Sequence, residues 1–239
     1  MSMNPGTPTA EAPQPGINGA AGFAAQSATW FETGGMLGQA PCYVAGTRIA
    51  TAGGEVPVET LKPGDTVVTA DGGGPPLRPV IWVGHRKVSL RRRGNLLALA
   101  PVRITVGALA DGVPHRDLCV SPDHAMFLDG RLVPAGLLVN GVTIFQDFHH
   151  AEVTYWHVEL PAHALLVAEG ALSESYLDDG NRGQYDNCGL ITVFMDAVTA
   201  RGTGRYDAAS CFRPLRHGPL LDAIRDRLAL RAKGMRRRA

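Results

Sequence analysis

The stretch CYVAGTRI, residues 42–49, opens the part of the chain in which short strands and turns alternate. The residues before it are rich in Ala, Gly, Pro, Thr and Gln, a composition that buries too little apolar surface to offset the entropy lost on ordering. We therefore expect a disordered leader over residues 1–41. The thiol of Cys42 then lies beside the peptide bond that joins this leader to the folded part. Because an unpaired cysteine is more commonly a small buried apolar side chain, position alone leaves both interpretations open.

Length and composition are those of a globular protein. The chain has 239 residues, enough for one sizeable domain with extended ends or for two small domains. Its hydrophobic fraction is 45% and its formal net charge is +1, so the overall charge predicts neither a nucleic-acid nor a membrane partner. The segment 222–239 differs, because it holds seven basic and two acidic residues. A solvated helix end is the first interpretation of this basic tail, and a contact with DNA or a membrane surface is the alternative.

The cysteine spacing and the length of the apolar runs indicate in which cellular compartment the protein is expected. None of the four cysteines forms a Cys-x-x-Cys pair, so a structural zinc site is not predicted, and their irregular spacing in a long chain favours free thiols. No apolar run approaches the roughly 20 residues that span a bilayer. The N-terminus lacks the basic start and apolar core of a secretory signal. We expect a cytoplasmic protein, or one exported by a route that leaves no N-terminal mark.

Turn signals recur about every ten residues between Cys42 and Asp178, which predicts an all-β domain over 42–178. Asp71-Gly72 and Asp129-Gly130 are typical of hairpin turns, which favour positive φ. The predicted strands lie at 66–69, 80–83, 101–106, 117–120, 153–160 and 164–168, and residues 132–138 followed by 141–144 repeat the earlier turn-and-strand layout. The layout of residues 56–72 is repeated loosely at 128–145, which indicates two related halves.

The remaining residues, 179–239, form a C-terminal extension in this interpretation. Residues 179–217 show no clear hydrophobic period. A helix is predicted near 219–233, because apolar residues recur there roughly on one helical face. They are Leu220, Leu221, Ile224, Leu228 and Leu230.

A second chemical signal is the sequence VSPDHA at residues 120–125. Ser-Pro-Asp is typical of a turn, and a serine three residues before a histidine can share one small surface with it. Histidine is the side chain best suited to transfer protons near neutral pH. The alternative for His124 is a surface or hydrogen-bonded histidine without a chemical role.

Four motifs occur along the chain in the order Cys42 with Gly-Thr, Gly-Asp-x-Val at 64–67, Ser-x-x-His at 121–124 and AEGALS at 168–173. In combination they resemble the Hint domain that hedgehog autoprocessing regions and inteins share. The chain is most similar to bacterial Hint-type domains with Cys-x-x-x-Gly-Thr-x-Ile and Ser-Pro-x-His-Ala. The resemblance covers about 42–178 and implies a Hint fold with pseudo-twofold halves, followed by a partly helical tail.

The resemblance also implies a reaction on the chain's own N-terminal segment. The Cys42 thiol would attack the carbonyl of Pro41, and an N-to-S acyl shift would replace the amide by a thioester. His124 is the expected general acid for the leaving amine, and Ser121 is expected to orient or polarise the scissile bond. Water or a small nucleophile would resolve the thioester. His85 stands where hedgehog-type domains carry an acidic residue, so it is the candidate base; a histidine at the rim without a catalytic role is the alternative.

Three departures narrow the expected activity. Inteins end in His-Asn before Cys, Ser or Thr, whereas residues 172–176 read LSESY, so full splicing is not implied. Asn187-Cys188 lies well beyond the last predicted strand and is interpreted as a loop. Pro41 replaces the glycine of hedgehog-type domains, and its ring crowds the carbonyl and restricts the backbone, which predicts slow cleavage. A non-catalytic scaffold used for binding or assembly is the alternative function.

The histidines at 149, 150, 157 and 163 are close in sequence and would converge if the strands brought them together. Their spacing is not diagnostic of a metal site. We therefore predict neither a metal nor a cofactor.

Overall fold

A computed structural model describes residues 40–70, 76–91, 96–189 and 203–237, and these ranges hold 14 strands. In chain order the strands are β1 (Tyr43–Val44), β2 (Arg48–Thr51), β3 (Gly54–Pro57), β4 (Thr66–Val68), β5 (Leu77–Pro79), β6 (Trp82–Ser89), β7 (Val102–Ile104), β8 (Leu118–Val120), β9 (Ala125–Leu128), β10 (Arg131–Pro134), β11 (Ile144–Gln146), β12 (Glu152–Glu159), β13 (Leu165–Ala168) and β14 (Ala171–Glu174). The helices are α1 (Leu96–Leu99), α2 (Thr203–Ala209) and α3 (Pro219–Arg236), and 3-10 turns lie at Val58–Thr60, Ala135–Leu138 and Arg182–Gln184. The predicted β-rich fold with a helical C-terminal end is confirmed, whereas the elements β1, β2, β3, β5, β14, α1 and α2 were not predicted.

The described strands pair antiparallel in two sheets. The first has the order β11-β7-β8-β1-β12-β6, and the second has the order β10-β9-β14-β13-β2-β4-β5 with β3 beside β2. The neighbours β1 and β2 belong to different sheets, and the chain passes between them through Gly46, whose φ of +88° suits a residue without a side chain. Cys42 directly precedes β1, which lies between β8 and β12 in the first sheet. It is therefore next to a central strand of that sheet.

Two segments repeat one local layout of strand, 3-10 turn and strand. In each, a proline ends the strand because it has no N–H to donate to the sheet: Pro57 has φ −59° and ψ 136°, and Pro134 has φ −53° and ψ 132°. A 3-10 turn follows directly, and then β4 in one segment and β11 in the other. These segments, 54–68 and 131–146, carry the repeat that the sequence predicted.

The hairpin turns depend on residues that accept positive φ. Asp129 and Gly130 join β9 to β10 with φ of +50° and +74°, as a two-residue hairpin turn requires, so this predicted turn is confirmed. β4 pairs with β5; the predicted Asp71-Gly72 turn between them lies outside the described residues.

The strand predicted at 80–83 has different bounds in the structure. β5 ends at Pro79 in the second sheet and β6 begins at Trp82 in the first. Val80 and Ile81 therefore form the crossing between sheets, with Val80 buried and Ile81 47% exposed. The sequence shows an apolar run here, but only the pairing partners show that the run changes sheet.

The C-terminal helix packs on the domain. Leu221, Ile224 and Leu228 are buried and join the main apolar core, whereas Leu220 and Leu230 are exposed. The predicted apolar face is therefore narrower than expected, because only the i, i+3, i+7 positions contact the sheets.

The basic residues of α3 also contact the domain. Arg227 binds Asp129 through both terminal nitrogens, and Arg231 binds Asp111. These two charges of the basic tail are thus engaged within the chain. In the described part of the chain, no helix has the length and apolar character that crossing a membrane requires.

Candidate functional site

Cys42 lies just before β1 with 2% of its surface exposed, among the buried side chains of Val88, Tyr155, Tyr176 and Tyr185. Burial raises the pKa of its thiol to about 12, although the hydrogen bond with Tyr185 and the charge of Arg86 act in the opposite direction. The thiol is therefore neutral at neutral pH. Its surroundings favour the uncharged form, unlike the electropositive sites that activate thiolates.

Ser121 holds the backbone on both sides of Cys42. Its Oγ accepts the N–H of Cys42 at 2.9 Å and its hydroxyl donates to the carbonyl of Ala40 at 3.5 Å, while its N–H donates to the carbonyl of Cys42 at 2.8 Å. Because Ser121 follows β8, the neighbour of β1 in the sheet, the pairing of the two strands sets this approach. The predicted partner of the Pro41–Cys42 bond thus contacts it directly.

His124 follows within the same turn, where its N–H donates to the Ser121 carbonyl at 3.1 Å. Its ring is fully buried, with its centroid 4.3 Å from the Tyr43 ring and 5.2 Å from the His157 ring. Neither ring nitrogen has a hydrogen-bond partner among the residues that the structure describes. Burial lowers the pKa of His124 to about 4, with Glu174 opposing the shift. The imidazole is therefore neutral at physiological pH, with one nitrogen able to accept a proton and the other able to donate one.

His157 is a neighbour of His124 that sequence reasoning did not assign to the site. It lies in β12, whose buried positions include Val153, Tyr155 and His157. Burial lowers its pKa well below the ordinary value, and His124 adds to the shift. In a strand where every second residue is apolar and buried, a histidine at one of these alternate positions is expected to be buried as well. This alternation is the sequence signal that could have identified His157.

The four histidines that are close in sequence do not share a site. His157 contacts His124, His163 lies beside Glu174, His150 lies beside Asp147, and His149 is exposed. Their strands and loops diverge, because β12 and β13 belong to different sheets.

Tyr185, which is far from Cys42 in sequence, contacts the Pro41–Cys42 bond in the folded structure. Its hydroxyl donates to the Pro41 carbonyl at 3.3 Å and lies 3.6 Å from the Cys42 sulfur. Gln184 adds a second contact, because its side-chain oxygen accepts the Ala40 N–H at 3.2 Å. Residues 179–217 show no hydrophobic period, so the sequence did not predict this contact. Tyr185 and Pro41 are 144 residues apart, and only the folded structure shows that they meet.

His85 is not brought to Cys42, which corrects its expected place. The ring of Tyr185 packs where a side chain on Gly84 would stand, so this face of β6 is turned toward Cys42. Since successive strand residues point to opposite faces, His85 points away, and its ring lies 4.9 Å from that of Trp156. Arg86 is instead on the Cys42 face, where its guanidinium donates to Gln184.

Asn187-Cys188 forms a loop at the edge of β6, as predicted. The Asn187 amide donates to the Val83 carbonyl at 2.8 Å and accepts the His85 N–H at 3.0 Å. The Asn187 side chain thus makes the two hydrogen bonds to β6 that the backbone of a neighbouring strand would otherwise make. Cys188 is partly buried and packs against the cluster that contains Cys42.

Glu174 is a buried carboxylate at the end of β14. Its two oxygens accept the N–H of Ala125 at 2.7 Å and the hydroxyl of Tyr206, and His163 lies 3.5 Å away. Burial raises its pKa, but these hydrogen bonds and the nearby histidines outweigh burial, so the pKa is lowered. Glu174 thereby ties β9 and α2 to the strand that ends next to the site.

The arrangement brings a neutral thiol and two hydroxyl groups to one peptide bond, and the neutral imidazole of His124 lies in the same turn as Ser121. Ser121 contacts the nitrogen of that bond and Tyr185 its carbonyl oxygen. Chemically, this combination can polarise the carbonyl, present sulfur to it and supply a proton to the departing nitrogen.

Residues 41–180 match the model of a protein family described as the Hint domain, which covers more than half of the chain. Similar solved structures are the gp41-1 intein (17% identity, TM-score 0.39), a bacterial intein-like domain from Clostridium thermocellum (18%, 0.39) and a DnaB intein from Synechocystis sp. (10%, 0.42). The matched parts are 56%, 56% and 57% of this chain and 98%, 98% and 99% of those proteins. No curated protein matches the chain.

Proposed function

The chain belongs to the Hint domain family, and from this premise we propose that it cleaves its own backbone at the Pro41–Cys42 bond through a thioester on Cys42, without full splicing. The observation that carries the proposal is the pair of hydroxyl groups on this one bond. Ser121 accepts the N–H of Cys42, and Tyr185 donates to the carbonyl of Pro41. A peptide bond whose amide nitrogen and carbonyl oxygen are both hydrogen-bonded is positioned for attack by an adjacent thiol.

The proposed reaction has two steps. The sulfur of Cys42 forms a bond to the Pro41 carbonyl carbon while His124 accepts the thiol proton; the C–N bond then breaks and the proton passes to the Cys42 nitrogen. Tyr185 stabilises the negative oxygen between these events. Water attacks the resulting thioester, which releases the leader with a Pro41 carboxylate and leaves a free Cys42 thiol.

The electrostatics favour a slow reaction. The pKa of the Cys42 thiol is raised to about 12 and that of the His124 imidazole is lowered to about 4, so complete proton transfer from the thiol to the imidazole before attack is strongly unfavourable. We therefore propose that deprotonation accompanies formation of the C–S bond. The restricted backbone at Pro41 adds to this barrier.

The direct test is the intact mass of the purified chain with and without dithiothreitol or hydroxylamine. The proposal predicts a fragment that begins at Cys42 and grows faster when either nucleophile is present, because both resolve a thioester. Prolonged incubation that leaves only intact chain, in wild type and in the glycine variant described next, refutes it.

Pro41→Gly is expected to accelerate cleavage by about 10-fold to 10²-fold, because it removes the ring that restricts the reacting carbonyl. The rate is measured by intact mass in hydroxylamine. Pro57→Gly is the control, since it relaxes a proline that ends β3, away from the Pro41–Cys42 bond. Equal rates in wild type and Pro41→Gly mean that the junction does not limit cleavage.

Tyr185→Phe in the Pro41→Gly background is expected to slow thioester formation by about 10²-fold, the usual effect of losing one oxyanion donor. Tyr176→Phe is the matched control: it is also a buried tyrosine of this cluster, but its hydroxyl donates to Asn181 at 2.7 Å. Hydroxylamine cleavage is followed for both. Similar slowing in the two variants indicates a packing effect and rejects the oxyanion role of Tyr185.

A non-catalytic scaffold is the second candidate. The observation that favours it is the deep burial of a neutral Cys42 thiol behind the Tyr185 side chain. If Pro41→Gly remains intact in hydroxylamine while its circular dichroism spectrum is that of the folded wild type, the scaffold is the better account.

A further inference from the structure

Three side chains with metal-ligating atoms meet away from the Cys42 site. Glu55 lies in β3, His115 lies in the loop before β8, and Glu169 lies in the turn between β13 and β14. The Nε2 of His115 is 3.1 Å from the Glu55 Oε2 and 3.6 Å from the Glu169 Oε2, and the three atoms lie within 4.8 Å of one another.

These spacings suit a tetrahedral ion. Ligands at 2.0–2.2 Å from zinc in a tetrahedron are about 3.4 Å apart, which is close to both distances from the histidine. Imidazole with carboxylates is a donor set that zinc takes readily, with three protein ligands leaving the fourth position to water. Magnesium and calcium prefer all-oxygen sites with more ligands.

Glu169 supplies an independent observation that points to a ligand. Its side chain is 2% exposed, and while Oε1 accepts the Arg48 N–H at 2.7 Å, Oε2 has no hydrogen-bond partner within the described ranges of the chain. A buried carboxylate oxygen without a donor is costly. Arg116 Nε, at 3.8 Å, is the other cationic group near it. A cation between the three side chains would satisfy this oxygen.

The local backbone holds the histidine in place for such a site. The His115 N–H donates to the Glu169 carbonyl at 2.9 Å, and its ring occupies the space that a side chain on Gly170 would fill, with Nδ1 2.7 Å from that position. Because Nδ1 faces Gly170, Nε2 faces the two carboxylates. The ring therefore presents one nitrogen to the cluster, and the contacts with Glu169 and Gly170 hold this part of the loop.

We propose that Glu55, His115 and Glu169 bind a divalent transition-metal ion, with zinc as the preferred occupant, and that the ion joins β3, the loop before β8 and the β13–β14 turn. The site goes beyond the proposed cleavage, which requires none of these residues. An ion here would stabilise the turn whose Glu169 also holds the N–H of Arg48 in β2.

The test uses the full chain after treatment with a chelator, titrated calorimetrically with zinc chloride. One zinc ion per chain is expected, together with a raised thermal midpoint. Glu169→Gln, which keeps an acceptor for Arg48, and His115→Ala are each expected to weaken binding by more than about 10²-fold, because removing a ligand costs more than the 10-fold to 10²-fold of an outer-shell change. His217→Ala, at an exposed histidine, is expected to bind as wild type does.

Cobalt(II) separates this site from a thiol site. Its visible spectrum is expected to show a nitrogen-oxygen site without the near-ultraviolet thiolate charge-transfer band, and Cys42→Ala is expected to leave zinc binding unchanged. The proposal is overturned if wild type binds no zinc, if His115→Ala binds it as wild type does, or if binding is lost with Cys42. Circular dichroism confirms that each variant is folded, and His115→Gln replaces His115→Ala if the latter is not.

Discussion

Cys42→Ala in the Pro41→Gly background is expected to abolish cleavage in hydroxylamine, a loss of at least about 10⁴-fold in rate. The reason is that the thioester requires the sulfur, and removing a nucleophile typically costs more than removing any other member of a catalytic group. Alanine fits the buried position of a side chain that is 2% exposed. Intact mass over a time course measures the fragment that begins at residue 42.

Cys119→Ala is the matched control for this loss. Cys119 is a partly buried thiol in β8, where burial raises its pKa to about 11, yet it precedes no bond that Ser121 and Tyr185 hold. Its removal is expected to leave the cleavage rate within about twofold of the background, since a surface or rim change seldom exceeds about 0.5 kcal/mol. Cleavage that persists in Cys42→Ala shows that the bond breaks by another route, and the thioester mechanism then fails.

The second large effect is a loss of stability in mild acid. His124 and His157 are fully buried, and burial lowers the pKa of each. In the unfolded chain both return to about 6.5, so between pH 6.5 and the folded pKa the unfolded state binds more protons and stability falls as pH falls. From pH 7.5 to 5, His124 alone is expected to lower the free energy of unfolding by about 2 kcal/mol. His157 acts in the same direction, whereas His163, whose pKa is raised to about 9 beside Cys211 and Glu174, gains stability as pH falls and offsets part of the loss.

Urea unfolding at pH 7.5 and pH 5 measures this effect. His157→Gln is expected to reduce the pH-dependent loss, because glutamine does not titrate, while His149→Gln, at an exposed histidine, is expected to leave it unchanged. Most carboxylates titrate below this window, near 4, so their contribution is small. A pH-dependent loss that is the same in wild type and in His157→Gln contradicts the assignment of the His157 ring as neutral and buried in the folded protein.

The local elements could be read from the sequence because they depend on neighbouring residues. The Asp129-Gly130 turn, the long strand β12 and the helix near 219–233 follow from turn chemistry and hydrophobic period, which act over a few residues. The place of Ser121 beside Cys42 was also foreseeable, through a motif order that resembles a known family. Ser121 indeed contacts the Cys42 backbone.

The remaining parts of the candidate site depend on which strands become neighbours. His85 and Arg86 are adjacent in sequence, and the alternation of β6 decides that Arg86 rather than His85 faces Cys42. Tyr185 reaches the Pro41 carbonyl across 144 residues. No local period records such a contact, because its energy comes from packing against side chains of other strands.

The sequence by itself determined the β-rich domain and the order of its motifs, since propensity and turn preference are properties of short segments. Only the tertiary structure decided that the Cys42 thiol is buried and neutral, that His124 and His157 pack together, and that Tyr185 covers the bond before Cys42. The physical reason is that burial and the polarity of the surroundings set a side chain's pKa and partners. Both arise when two sheets close on each other.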